Sequence, residues 1–253
     1  MKKKSSILVC QFIMIMLLII ADGCSREDGS INDPTVATGT VKDIDGNVYK
    51  TIQIEIRTGM LKSLNNTETI SQTWMAENLR TTKYSNGDPI PNVTQCNDWL
   101  ALTTGAYCSY NNDLNNSKTY GMLYNWYAVK DSRNLAPEGW HVASYSEWMT
   151  LINFLGGLND AGGKLKEAGT THWLSPNTDA DNSIGFTALP AGFCYNFFSA
   201  FDYLNTVCYW WTTTEHLNHN GGPWRVGAYY TSSSVSMAND LETTGFSVRC
   251  IKD

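Results

Sequence analysis

The sequence predicts an α+β fold built around one mostly antiparallel sheet. Three observations predict it. Helical stripes occur only before residue 160: Leu123, Trp126 and Tyr127 stand at i, i+3, i+4, and Trp148, Leu151, Ile152 and Leu155 at i, i+3, i+4, i+7. Short strand-like runs crowd the part that follows. Turn dipeptides at Asp45-Gly46 and Asn86-Gly87 interrupt the earlier segments. Helices followed by runs of strands form the α+β pattern.

The chain opens with Lys2, Lys3 and Lys4, then an apolar run from Ile7 to Ile20 broken only by Gln11. That is a secretory signal over residues 1–23, short for a membrane span. It ends in "ADGC", which resembles a bacterial lipobox whose Cys24 becomes the acylated first residue. Asp22 is unusual at its place in that motif. Residues 24–37 are polar with Gly and Pro and read as a flexible tether. Glu27 and Asp28 resemble the surface-export signal of Bacteroidetes lipoproteins.

Residues 38–54 alternate around Asp45-Gly46 and predict a hairpin. Asp43, Asp45 and Asn47 also suggest a Ca²⁺ loop, but the glycine comes early and no glutamate closes the twelfth position. Residues 55–70 read as an inserted loop or an extended hairpin. Residues 72–93 give a short strand and a turn, 94–118 a long polar loop, and 120–131 a short helix. A strand is expected at Trp140 to Val142. Ser144 and Glu147 then stand at the spacing of a capping box, and Gly156-Gly157 supply the stop for the helix between. Residues 161–169 form a short helix or turn. Strands are expected at 186–193, 207–214, 224–231, 233–238 and 245–253.

The whole chain carries a net charge of −6, and loss of residues 1–23 makes it two units more negative. A nucleic-acid surface is therefore disfavoured, and the lipid anchor is the expected link to the membrane. The roughly 210 residues after the tether suffice for one sizeable core. Nine tryptophans and thirteen tyrosines suit a glycan-binding face or a loop-rich core. Beyond Cys10 and Cys24, five cysteines remain. An exported chain permits disulfides, and an odd number leaves one thiol over. Cys96 with Cys108 and Cys194 with Cys208 would staple local loops, leaving Cys250 unpaired. Cys108 with Cys250 is the alternative.

Chemistry-bearing patterns are sparse. His141 and Glu147 could form an acid–base pair, but Glu147 has a capping role and His141 is expected to bond the core backbone. Glu215, His216 and His219 lack the HExxH spacing. No G-x-S-x-G elbow or CxxC pair is present. No catalytic residue, metal ligand or cofactor is assigned, Ca²⁺ at the Asp45 turn being the one cofactor considered.

Several phrases in order, "DIDGNVYKTIQI", "QTWMAENLRTTKY", "GMLYNWYAV", "LAPEGWHVASYSEWMTLINFLGG", "GFTALPAGF", "YWWTTTE" and "GFSVRCIKD", resemble the Fibrobacter succinogenes major paralogous domain of exported lipoproteins, over residues 38–253. The "WHVxxxxEW" core is similar to a signature of formylglycine-generating proteins. The resemblance implies a C-type-lectin-like fold with a twisted antiparallel sheet, two main helices and long loops. It further implies an outer-membrane, surface-facing, lipid-anchored binding module without catalysis, contacting glycan or protein through its loops. The candidate contacts are the aromatics Trp99, Tyr110, Trp224 and Tyr229. Two other classes remain: an accessory subunit of an outer-membrane complex or surface fibre, and an enzyme related to the formylglycine-generating proteins, whose C-terminal cysteine arrangement Cys250 does not match.

Overall fold

A computed structural model describes residues 37–58, 68–195, 200–216 and 221–253. The signal, Cys24 and nearly all of the tether lie outside the described residues.

Strand β1 (Ala37–Lys42) pairs antiparallel with β2 (Val48–Thr58), and β2 with β3 (Glu68–Met75). Ile52, Ile54 and Ile56 of β2 point inward while Gln53 faces solvent, the period-two pattern of a half-buried strand. Of the two forms expected for 55–70, the extended hairpin is the one its described ends adopt. Residues 55–58 pair with 68–71 because the alternation of Ile54 and Ile56 with Glu55 continues the strand. Residues 59–67 lie outside the described residues.

The expected loop 94–118 is also mostly ordered into short elements. These are α1 (Cys96–Trp99), β4 (Tyr107–Cys108), a 3₁₀ turn (Tyr110–Asn112) and α2 (Leu114–Tyr120). The helix expected at 120–131 contracts to α3 (Trp126–Val129), and β5 (Leu123–Tyr124) pairs with β4 instead. Gly121 separates the two helices at φ 82°, and a Cβ there would sit 2.6 Å from Asn78 Cβ. Asn125 then caps α3, its side chain accepting from Ala128 N–H.

Strand β6 (Trp140–Val142) leads into α4 (Tyr145–Phe154), and the Ser144–Glu147 capping box is formed in full. Gly157 N–H bonds Ile152 C=O at 2.9 Å and Gly156 N–H bonds Asn153 C=O at 3.2 Å, the paired bonds of a Schellman stop. Next come α5 (Ala161–Leu165), β7 (Phe193–Tyr195), β8 (Ala200–Asp202), β9 (Val207–Glu215), β10 (Pro223–Tyr229), β11 (Val235–Asn239) and β12 (Cys250–Lys252). Residues 186–192 make only isolated bridges, at Ala188 and Gly192. Thr187, at φ 52°, interrupts any regular strand there.

The sheets are thus a five-stranded one in the order β1-β2-β3-β12-β6, a three-stranded one in the order β11-β10-β9, and the small pairs β4-β5 and β7-β8. The fold is mixed α and β with antiparallel strand pairing, in two larger sheets rather than the single sheet expected. Helix α4 lies between them: Trp148 packs 4.8 Å from Trp74 of β3 and 5.2 Å from Trp210 of β9. Seven of the nine tryptophans are fully buried, so the aromatic enrichment serves mainly the core.

A buried polar spine ties the sheets together. Arg249 donates to Asn78 Oδ1 (2.7 Å), to the carbonyls of Met75 and Phe186 (both 2.9 Å) and to that of Thr187 (3.0 Å). Asn78 Oδ1 also accepts from Trp210 Nε1 at 2.9 Å. Cys96 of α1 bonds Cys194 of β7 across 98 residues. The local staples Cys96–Cys108 and Cys194–Cys208 are not formed, nor is Cys108–Cys250. Cys108, Cys208 and Cys250 are free and buried. Tertiary folding brings α1 to the β7–β8 pair, which sequence proximity could not foretell.

Candidate functional site

The "GWHVASYSEW" segment folds as strand β6 followed by capped α4. His141 does not bond core backbone, as the sequence suggested. Its Nε2 meets Glu147 Oε1 at 2.8 Å and its Nδ1 meets Asp253 Oδ1 at 2.6 Å. The other Glu147 oxygen accepts from Ser144 N–H and Ser144 Oγ, each at 2.7 Å. Burial pushes the His141 pKa down, but hydrogen bonds to Asp253 and Glu147 outweigh it and hold it above its ordinary value. Burial pushes Glu147 up, but Ser144 and His141 bring it below the usual carboxylate value. A charged imidazole donating from both nitrogens has no lone pair with which to accept a proton. The arrangement fastens the chain's last residue to the start of α4.

The Asp45 turn is likewise occupied by protein donors. Asp43 accepts from Asn47 N–H and Nδ2 (both 2.8 Å) and from Tyr49 Oη (2.5 Å). Asp45 accepts from Thr82 N–H at 2.6 Å and pairs with Lys83 at 3.1 Å. These bonds make the turn a protein-satisfied clasp instead of a cage for Ca²⁺. His216 packs on Trp224 at 4.9 Å, and His219 lies outside the described residues.

Of the aromatics nominated as contacts, Trp99 and Tyr110 are buried and therefore belong to the core. Trp99 donates Nε1–H to Val93 C=O at 2.8 Å, and Tyr110 packs 5.3 Å from Phe201. Trp224 is partly exposed between Tyr145 and His216. The Tyr229 hydroxyl lies 3.3 Å from that of Tyr209 and 3.0 Å from Ser236 Oγ. The four do not converge on one site.

A different aromatic set does converge. Phe193 and Tyr195 of β7, Tyr203 after β8, Tyr209 of β9 and Phe246 line a pocket of about 250 Å³ with Asp202, Arg225 and Asp240. Phe193 and Tyr203 stack at 5.3 Å with 17° between their planes. Tyr209 and Phe246 meet edge to face at 5.2 Å. The Arg225 guanidinium lies 4.0 Å over Tyr209 and donates Nε–H to Asp240 at 3.1 Å. Its Nη1 is buried without an acceptor among the described residues.

Tyr203 is 52 % exposed and holds φ 62°, a conformation bulky residues rarely adopt. Its backbone is fixed from both sides: its N–H bonds Asp202 Oδ1 at 2.7 Å, and its carbonyl accepts from Thr206 Oγ1 at 2.8 Å. An exposed ring held in a strained backbone is a mark of sites where position matters. One sequence signal could have pointed to this pocket: Phe193 and Tyr195 alternate in a short run and so share a strand face.

The model of the Fibrobacter succinogenes major domain matches residues 69–252. The chain belongs to that family. Every residue lining the aromatic pocket falls within the Fibrobacter succinogenes major domain match, as do the capping box and Arg249. The sequence resemblance runs from residue 38, whereas the family match begins at 69, so β1 and β2 lie outside it. No curated protein and no solved structure matches the chain.

Proposed function

We propose that this protein is a non-catalytic binding module of C-type-lectin-like architecture. It is held at the outer membrane by acylated Cys24, faces the cell surface, and takes one sugar ring of a glycan into the aromatic pocket. The observation that carries the reading is the half-exposed Phe193–Tyr203 stack beside Asp202 and the Arg225–Asp240 pair. A flat aromatic face suits the C–H face of a sugar, while charged groups at its edge suit the hydroxyls. The pocket's volume of about 250 Å³ falls just below the span of drug-sized sites, which fits a single ring better than a buried oligosaccharide. His141, held by a carboxylate on each nitrogen, supports the non-catalytic part of the reading.

The test is a glycan array probed with the acylated protein in detergent, wild type beside Tyr203→Ala. Wild type is expected to retain a restricted glycan set, and the variant to lose it by about tenfold or more, the effect of removing an aromatic contact. Absence of any retained glycan, with a protein recovered at fixed stoichiometry from the outer membrane, would favour an accessory subunit instead.

A further inference from the structure

A second, larger cleft of about 780 Å³ lies between β1, β2 and residues 183–189, and shares no lining residue with the aromatic pocket. Its apolar lining includes Ile52, Ala76, Ile184 and Leu189, and its polar lining includes Thr38, Thr40 and Ser183. Gly39 helps keep it open: a Cβ there would come 3.1 Å from Thr51 Oγ1, whose residue also lines the cleft.

Arg249 lines this cleft while only 1 % exposed. Its four hydrogen bonds go to carbonyl and amide oxygens, and none goes to a carboxylate. A guanidinium carries five N–H groups, so one on Nη2 is left without an acceptor among the described residues. Glu77, whose field reaches the guanidinium, is hydrogen-bonded to Lys50 N–H at 2.7 Å. Burial pushes the Arg249 pKa down to about 9, against the opposing field of Glu77, which lines the same cleft and makes no hydrogen bond to the guanidinium. Lys50, a solvent-exposed residue, adds a second cation, so the lining carries two cations against the single carboxylate of Glu77. A buried charge ordinarily has an ionic partner, and here the open side of the group is a cleft of ligand size.

We propose that the cleft binds a small organic carboxylate. The carboxylate bonds Arg249 Nη2 and Lys50 Nζ, and the apolar body lies over Ile52 and Ile184. Charge-assisted bonds made in a desolvated site are the strong ones, which favours a carboxylate over a neutral group of the same shape. Six of the lining residues, Thr38, Gly39, Thr40, Lys50, Thr51 and Ile52, lie outside the family match. The site is therefore tied to this chain's N-terminal strands and stands apart from the glycan reading.

Calorimetry on the acylated protein in detergent tests it with hexanoate, hexanol, sodium sulfate and galacturonate. Hexanoate is expected to bind saturably and hexanol at least about tenfold more weakly, the scale of losing a charged hydrogen bond. Arg249 is too central to substitute safely, so two exposed positions serve. Lys50→Ala is expected to weaken hexanoate about tenfold, and Gly39→Leu to abolish binding by filling the cleft, both with unchanged circular dichroism. No hexanoate binding, or equal affinity for hexanol, overturns the proposal. So does sulfate or galacturonate binding as tightly as hexanoate, or an unchanged Kd in both folded variants. Loss of glycan retention by Tyr203→Ala leaves hexanoate binding intact, so the two readings fail separately.

Discussion

His141 shows how one side chain can couple charge to folding. Its folded pKa lies above the ordinary 6.5, because two carboxylates hold the charged ring. Its stabilisation is complete below about pH 6.5 and disappears as pH rises through the higher folded value. Glu147 behaves oppositely: its folded pKa is lowered from 4.5, so its contribution is present above that value and is lost as pH falls through the folded one. The cluster therefore favours mildly acidic solution. His141→Gln is expected to remove the alkaline part of this dependence and to reduce the acidic part, which Ser144 then sustains. The ring is more than a third exposed, so solvent screening limits the effect to about 1 kcal/mol or less. Urea titrations of wild type and variant at pH 6 and pH 9 check it. The stability difference should shrink at the higher pH, and a difference independent of pH would contradict the charged clasp.

Among the elements, α4 was legible in the sequence because everything that defines it is local. Ser144 and Glu147 make the box, Trp148, Leu151 and Ile152 are buried, and Gly156-Gly157 end it. The helix expected at 120–131 is confined to Trp126–Val129 for a reason that is not local. Gly121 passes so close to Asn78, more than forty residues away, that the chain turns and Leu123 enters a strand. The aromatic pocket escaped notice for the same reason, since its lining comes from four strands and the turns beside them. Cysteine pairing was equally hidden, because nothing near Cys96 names Cys194. That bond joins α1 to β7, the strand that carries Phe193 and Tyr195 into the pocket. A bridge closing a loop of this length stabilises by about 4–5 kcal/mol in the chain-entropy model. Replacing both cysteines by serine should therefore lower Tm markedly and weaken glycan retention along with it. Calorimetry paired with the array checks both. An unchanged Tm would mean that the α1–β7 contact holds without the bond.

At the scale of the whole molecule, the question is whether the two larger sheets unfold together. Asn78 and Arg249 sit where they would have to be joined. Arg249 follows Val248 into β12 of the five-stranded sheet, and its guanidinium reaches Met75 at the end of β3 and the 186–187 segment. Asn78 accepts from that guanidinium and from Trp210 of β9 in the other sheet, and donates to Tyr120 C=O at 2.8 Å and to Ser247 Oγ at 3.3 Å. Asn78→Ala would leave a buried guanidinium N–H, an indole N–H and a carbonyl without their partners at once. Breaking a buried charged network in this way costs about 3–5 kcal/mol, several times an ordinary surface substitution. Because the broken bonds belong to both sheets, the loss should appear as one calorimetric transition at lower temperature, with the van't Hoff and calorimetric enthalpies still equal. Hexanoate and glycan binding should then fade together at the new Tm, although Asn78 lines only the cleft. Two resolved transitions in Asn78→Ala, with the β9–β10–β11 sheet melting last and still holding glycan, would show that the sheets are separate folding units and that the spine does not unite them.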